Sequence, residues 1–279
     1  MPVNRFWRSV GSVAAYLFAI GLLQVIVAQL LTLFGLLPLG ITAPLRETAI
    51  AIVPLVATFL YLDWRWGWGP EHIGLPRGAG AAGMALLGLL LGVAAAVASH
   101  LASALLGRFP ISLEAFRPAP FSAALLVDVL ILIVMGFSVE LMFRGVTMAR
   151  YLADLSYEEA VLAGVLTPFA WAVLSTAVLG GFSTAGIYGP WQSAMSVALS
   201  LIFLRKESVW LTSGLRIGMF LPMALLNLRI TEAGGFLIWG TVAAILGAME
   251  WNRIKHLPRP MGSSRRYGDR YRRGPWGPY

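Results

Sequence analysis

The stretch FSAALLVDVLILIVMGFSVELMFRG, which runs from Phe121 to Gly145, carries the two features on which the interpretation of the whole chain depends. The first is an apolar run of about 20 residues, which is long enough to cross a bilayer as a helix. The second is the pair Glu140 and Arg144, which share one helical face because they are four residues apart. They either form an ion pair at membrane depth, which is a candidate functional site, or lie at the water interface and only close the helix end.

The composition of the whole chain is that of a membrane protein. Hydrophobic residues make up 58% and charged residues 12% of the chain, whereas soluble domains average about 45–50% and about 25%. We therefore expect an all-α, polytopic transmembrane domain of about eight helices within residues 1–250. The predicted spans are 11–36, 47–63, 81–106, 121–146, 158–178, 190–205, 208–227 and 233–250. Because there is no cysteine, disulfides, thiolate metal sites and cysteine nucleophiles are excluded.

Basic residues are distributed unevenly around these spans. Most Lys and Arg residues fall in alternate connections and after the last span, which predicts a multi-pass protein of the cell inner (plasma) membrane with cytoplasmic N- and C-termini. Residues 251–279 form a basic tail rich in Arg, Tyr, Gly and Pro, a composition typical of disorder. We expect this tail to contact anionic lipid, a partner subunit or both, and not nucleic acid. The residues predicted to make these contacts are Arg265, Arg266, Arg270, Arg272, Arg273 and Trp276.

Two further charged residues lie inside predicted spans. Asp128 is in the fourth span, where a carboxylate must be protonated or paired. Arg216 is in the middle of the seventh span, where it needs an anion, water or backbone carbonyl groups. The sequence therefore predicts an intramembrane polar network of Glu140, Arg144 and Arg216. Asp128 is a fourth candidate member, as the alternative anion for Arg216, but it lies toward the outer face.

The histidines do not form a metal-binding pattern. His72, His100 and His256 are far apart in the sequence, and a lone helix histidine is more often hydrogen-bonded in a bundle than metal-bound. We predict no bound metal and no cofactor.

Four stretches occur in a fixed order along the chain: EHIGLPR at 71–77, VELMFRG at 139–145, TPFAWAV at 167–173, and a segment over 196–210 that ends in FLRKESVW. Together they resemble the CPBP family of intramembrane proteases, which contains CAAX prenyl proteases and bacteriocin-processing (Abi) proteins. They are similar to the family's LGLRR surface segment, EExxxR motif, FxxxH motif and LYLRTGSLW segment. The resemblance covers about 71–228 and implies a CPBP-like helical bundle.

The resemblance also implies which residues should be catalytic, and most of them are missing. In the family, the first Glu of EExxxR, the two His and the Asn form the catalytic set. The matching positions here are Val139, Val173, Arg216 and Phe220, while Glu140 and Arg144 remain. Val and Phe provide neither a base nor a metal ligand, and a permanently charged arginine would repel a metal cation. No catalytic residue is therefore assigned.

Three functions remain open from the sequence. We favour a catalytically inactive scaffold or accessory subunit of a membrane protein complex. The first alternative is an active CPBP-type endopeptidase with a rearranged site that uses Glu140 and Asp128. The second is a small-molecule carrier or binder that uses Asp128, Glu140 and Arg216 as a polar cluster.

Overall fold

A computed structural model describes residues 3–33, 52–62, 70–75, 78–109, 113–180, 182–226 and 228–256, without the side chains of 3, 4, 28, 32, 71, 72, 113 and 172–189. In these ranges the chain is helical, and it has no β-strand beyond an isolated bridge between Pro118 and Leu226. The expected all-α class is therefore confirmed for the described residues. The tail residues predicted to contact lipid or a partner all lie outside them: Arg265, Arg266, Arg270, Arg272, Arg273 and Trp276.

A helix lies over each of the predicted spans. The helices are α1 Val3–Leu33, α2 Ile52–Leu62, α3 Ala79–Leu105, α4 Ala123–Glu140, α5 Met148–Asp154, α6 Tyr157–Gly180, α7 Phe182–Lys206, α8 Val209–Leu225 and α9 Glu232–Lys255. The π-helical segment Leu141–Thr147 joins α4 to α5 without a break. Short 3₁₀ turns occur at Pro70–Ile73 and Leu113–Phe116.

Four of these helical segments are long and apolar enough to cross a bilayer: Arg5–Leu31, Ala79–Leu105, Ala123–Asp154 and Glu232–Lys255. They also expose large apolar side chains such as Phe18, Leu90 and Leu126, which would be unfavourable in water and suits a lipid environment. The structure thus has the features of a membrane protein. That all eight predicted segments cross the membrane stays a prediction.

Some helices extend beyond the predicted spans. The helix over the span expected to begin at 190 begins at Phe182, because α7 includes a glycine-rich stretch that lies between two of the predicted spans. Glycine disfavours helices in water, but it is common in helices of membrane proteins, where the surroundings outweigh the local propensity.

The bundle is organised around a backbone contact between α3 and α8. Gly88 and Gly92 of α3 face Gly214 and Gly218 of α8, and both pairs have the spacing GxxxG. A Cβ atom on Gly88 or Gly214 would come within 2.2 Å of a backbone oxygen of the opposite helix. Only glycine allows this approach, which is a recurrent way to pack helices in membranes. Arg216, between the two glycines of α8, is fixed in position by the same contact.

A third glycine sets the position of α4 against α8. A Cβ atom on Gly136 would lie 2.7 Å from Cγ1 of Ile217 and 3.8 Å from Cγ of Arg216. Because Glu140 follows Gly136 by about one helical turn, this close crossing brings its carboxylate to the level of Arg216.

The buried apolar side chains form two clusters. The first surrounds α5 and the π-helical segment and includes Phe143 and Tyr151. The second lies among α3, α7, α8 and α9 and includes Met195, Met219 and Trp239. The predicted polar residues lie on helices of both clusters, so contacts between them connect the two halves of the core.

Candidate functional site

Glu140, at the end of α4, is the centre of a buried ion-pair network. Its side chain and that of Arg144 are 0% exposed, and that of Arg216 is 15% exposed. Both arginines donate to the same oxygen, Oε1 of Glu140: Nε of Arg216 at 2.6 Å and Nη1 of Arg144 at 3.2 Å. The structure therefore brings together three of the four residues predicted to form a network.

Arg144 also links the network to α7. Its Nη2 donates to the backbone carbonyl oxygen of Ser196 at 2.5 Å. Arg144 lies in the π-helical segment, and such wide turns are frequent at functional sites because they change the direction of side chains. Glu140 and its two arginines thus connect α4, α7 and α8.

Two atoms of the network are buried without a hydrogen-bond partner among the described residues: Oε2 of Glu140 and Nε of Arg144. Three hydroxyl groups on the same helical segments and on α7 are buried and unpartnered as well: those of Ser213, Thr147 and Ser193. Because buried polar groups are nearly always hydrogen-bonded, this region calls for bound water or a polar ligand.

Asp128 is not part of the network, which corrects the four-residue interpretation of the sequence. Because α4 begins only at Ala123, Asp128 lies in the second turn of the helix and its side chain is exposed. It precedes Glu140 by about three helical turns, or about 18 Å along the axis. Among the residues that the structure describes, none forms an ion pair with Asp128.

The other positions that the resemblance assigns to catalytic residues are occupied by packed side chains where they are described. Val139 is half-buried against the first cluster. The ring of Phe220 packs against Trp191 with a centroid distance of 5.7 Å. Val173 lies in α6, but its side chain is outside the description. In the described part of the chain, no three His, Asp or Glu residues are grouped so that they could hold a metal ion.

His100 has a structural environment. Its buried Nδ1 lies 2.8 Å from the carbonyl oxygen and 3.2 Å from the backbone nitrogen of Arg229. Its ring stacks on Phe109 at a centroid distance of 5.0 Å. These contacts fasten α3 to the connection between α8 and α9.

A second polar cluster, which sequence reasoning missed, surrounds Glu250 in α9. This buried carboxylate accepts a hydrogen bond of 2.5 Å from the hydroxyl of Tyr157. Its oxygens also lie 3.6 Å from Nε of Arg205 and 3.5 Å from Nη1 of Arg253. The cluster joins the start of α6 to the ends of α7 and α9. A signal for it exists in the sequence, since alternating topology places these three termini on one side of the bundle.

No family model matches the chain, and no curated protein or solved structure does either. The resemblance to CPBP proteins stays a prediction that rests on the motifs.

Proposed function

We propose that the chain is a CPBP-like membrane protein that has lost proteolytic activity and acts as a scaffold or accessory subunit of a membrane protein complex. The observation that carries the proposal is the ion pair between Arg216 and Glu140. Where the resemblance implies a catalytic histidine, a guanidinium group is bonded to the carboxylate that remains of the motif.

Hydrolysis of a peptide bond requires a base within hydrogen-bond reach of a water molecule, together with an electrophile or a metal ion. Oε1 of Glu140 is already engaged by two guanidinium groups. Val139 and Phe220 have no polar side-chain atoms, and Asp128 lies too far along α4 to cooperate with Glu140. These features favour the inactive protein over a protease with a rearranged site.

The distribution of basic residues supports the proposed orientation in the inner membrane. α5, α7 and α9 end at the side of the bundle where Arg150, Arg205 and Arg253 lie. Arg117 and Arg229 lie at the opposite side, near the paired residues Pro118 and Leu226. The excess of cations on the first side favours a cytoplasmic location for it, and for the basic tail that follows α9.

The proposal is tested by purification from native membranes in mild detergent through a tag at the N-terminus. We expect a membrane protein partner at fixed stoichiometry, and we expect a chain truncated after His256 to retain less partner or anionic lipid, in a salt-dependent way. The proposal is overturned if the chain is isolated alone and membranes contain a cleavage product that disappears in Glu140→Gln and Asp128→Asn variants. That result would establish the protease.

A further inference from the structure

We propose that the Arg216 side of the buried network is a binding site for an oxyanion, a carboxylate or phosphate group carried by a lipid or by a small water-soluble molecule. The first observation is the charge of the network. One carboxylate, Glu140, pairs with two guanidinium groups, so the centre of the bundle has one positive charge in excess.

No other described carboxylate is in a position to balance this charge. α3, α7 and α8 contain no Asp or Glu. On the continuous helix that carries Glu140, Asp128 is exposed near the far end, and Asp154 pairs with Arg150 at 2.9 Å. A buried charge without a counter-ion is strongly unfavourable, so a stable protein is expected to recruit an anion here.

The second observation is the free edge of Arg216. Only its Nε is engaged, and its Nη1 and Nη2 form no hydrogen bond with any residue that the structure describes. Its side chain is 15% exposed, whereas those of Glu140 and Arg144 are 0% exposed. Arg216 is therefore the only member of this trio that a ligand can reach. The planar guanidinium fork matches the two oxygens of a carboxylate or phosphate group, which is why we infer an oxyanion and not a halide.

The third observation is the set of buried polar atoms without partners. Ser213 lies one helical turn before Arg216 on α8, and its buried hydroxyl has no acceptor. Nε of Arg144 is also a buried donor without an acceptor, while Oε2 of Glu140 lacks a donor. The oxyanion itself contacts Arg216, and water molecules bound with it can satisfy the buried atoms, because water both donates and accepts hydrogen bonds.

The site is tested with the full chain in detergent, after lipid has been removed by extensive washing. Thermal unfolding is compared in sodium phosphate, sodium acetate and sodium chloride at the same pH and ionic strength. We expect phosphate or acetate at saturating concentration to raise the midpoint of unfolding by about 5 °C relative to chloride. The shift should disappear in Arg216→Gln and persist in Arg229→Gln, a matched control at an exposed arginine outside the network.

A second variant and a second measurement separate the possible sources of the anion. Arg216→Lys keeps the charge but loses the fork, so it should fold and show a smaller shift than the wild type. If the natural ligand is a lipid, protein purified without washing should retain about one phosphorus-containing lipid per chain that Arg216→Gln loses, as measured by native mass spectrometry. If it is a soluble anion, unwashed wild type and Arg216→Gln should retain equal lipid, and phosphate or acetate should still stabilise the wild type. The inference is overturned if no oxyanion stabilises the wild type and lipid retention is unchanged, or if Arg216→Lys and the wild type respond equally.

Discussion

Two carboxylates are buried among the residues that the structure describes, and each has two arginines near it, but their surroundings differ. Glu140 lies among the middles of α7 and α8, and its partners Arg144 and Arg216 are 0% and 15% exposed. Glu250 lies at helix ends, and its partners Arg205 and Arg253 are 27% and 41% exposed. The positive charge around Glu250 is therefore more exposed than that around Glu140.

The two sites also use their carboxylates differently. At Glu250 the two cations lie on different oxygens: Arg253 is 3.5 Å from Oε1, which also accepts from the hydroxyl of Tyr157, and Arg205 is 3.6 Å from Oε2. At Glu140 both cations contact Oε1. Oε2 of each carboxylate is without a hydrogen-bond partner among the described residues, so the sites differ in the arrangement and exposure of their cations. The comparison indicates that the Glu250 cluster is a joint between helix ends, and that the Glu140 network is a charged centre of the kind that binds a ligand.

The largest expected effect is that of Glu140→Gln. The substitution leaves two guanidinium groups without their shared anion, and breaking a buried pair from one side costs roughly 3–5 kcal/mol. The matched change Glu250→Gln should cost less, because both arginines at that site can turn toward water. The two variants are compared by their free energies of unfolding in detergent. Equal losses would contradict the distinction between the two sites.

The second prediction concerns the stability of the glycine contact between α3 and α8, which positions Arg216 of the Glu140 network. Gly88→Ala would place a Cβ atom 2.2 Å from the carbonyl oxygen of Leu211, and overpacking of this kind costs about 1–3 kcal/mol. Gly83→Ala in the same helix meets nothing within 4 Å and should be neutral or slightly stabilising. Thermal unfolding of both variants measures the difference. A Gly88→Ala protein as stable as Gly83→Ala would show that the backbone contact is wrong.

The sequence predicted the Glu140 network better than the Glu250 cluster. The apolar runs indicated the helices, and the spacing of Glu140 and Arg144 placed them on one face. Arg216 joined them only through the expected position of α8, which depends on a packing between helices that are distant in sequence. The glycine pairs at 88 and 92 and at 214 and 218 were a visible signal for that packing, since GxxxG spacing favours close helix pairs.

Residue patterns carried the rest only in part. The separation of Asp128 from Glu140 in the sequence already placed Asp128 nearer the outer face, and the residue at which α4 begins confirms that its side chain is exposed. Alternating topology places the three helix ends around Glu250 on one side of the bundle, but it does not indicate that their side chains contact one another. Both arginines donate to the same oxygen of Glu140 because of the side-chain geometry, which cannot be predicted from the sequence.

The third prediction tests whether Arg216 and Glu140 meet. Arg216→Leu leaves Glu140 still paired with Arg144, so its cost should be smaller than that of Glu140→Gln. The double variant should differ from the sum of the single ones by about 1 kcal/mol, since contacting charged residues are coupled. A double-mutant cycle on the free energy of unfolding measures this coupling. If the losses of the two single variants simply add in the double variant, Arg216 and Glu140 do not contact each other, and the proposed oxyanion site loses its basis.

The smallest effect is expected at the exposed partner of the other carboxylate. Arg253 contacts Oε1 of Glu250 at 3.5 Å, donates to the hydroxyl of Tyr157 at 3.3 Å and lies over the tyrosine ring at 5.4 Å. Because its side chain is 41% exposed and Arg205 remains beside Glu250, Arg253→Gln should cost about 0.5 kcal/mol. Salt should reduce this cost further, since ions screen hydrated charges, whereas the cost of Glu140→Gln should hardly change with salt. Unfolding of both variants in about 50 mM and 500 mM sodium chloride tests this contrast. If the two costs respond equally to salt, the two carboxylates have the same access to water, and the functional distinction between the regions fails.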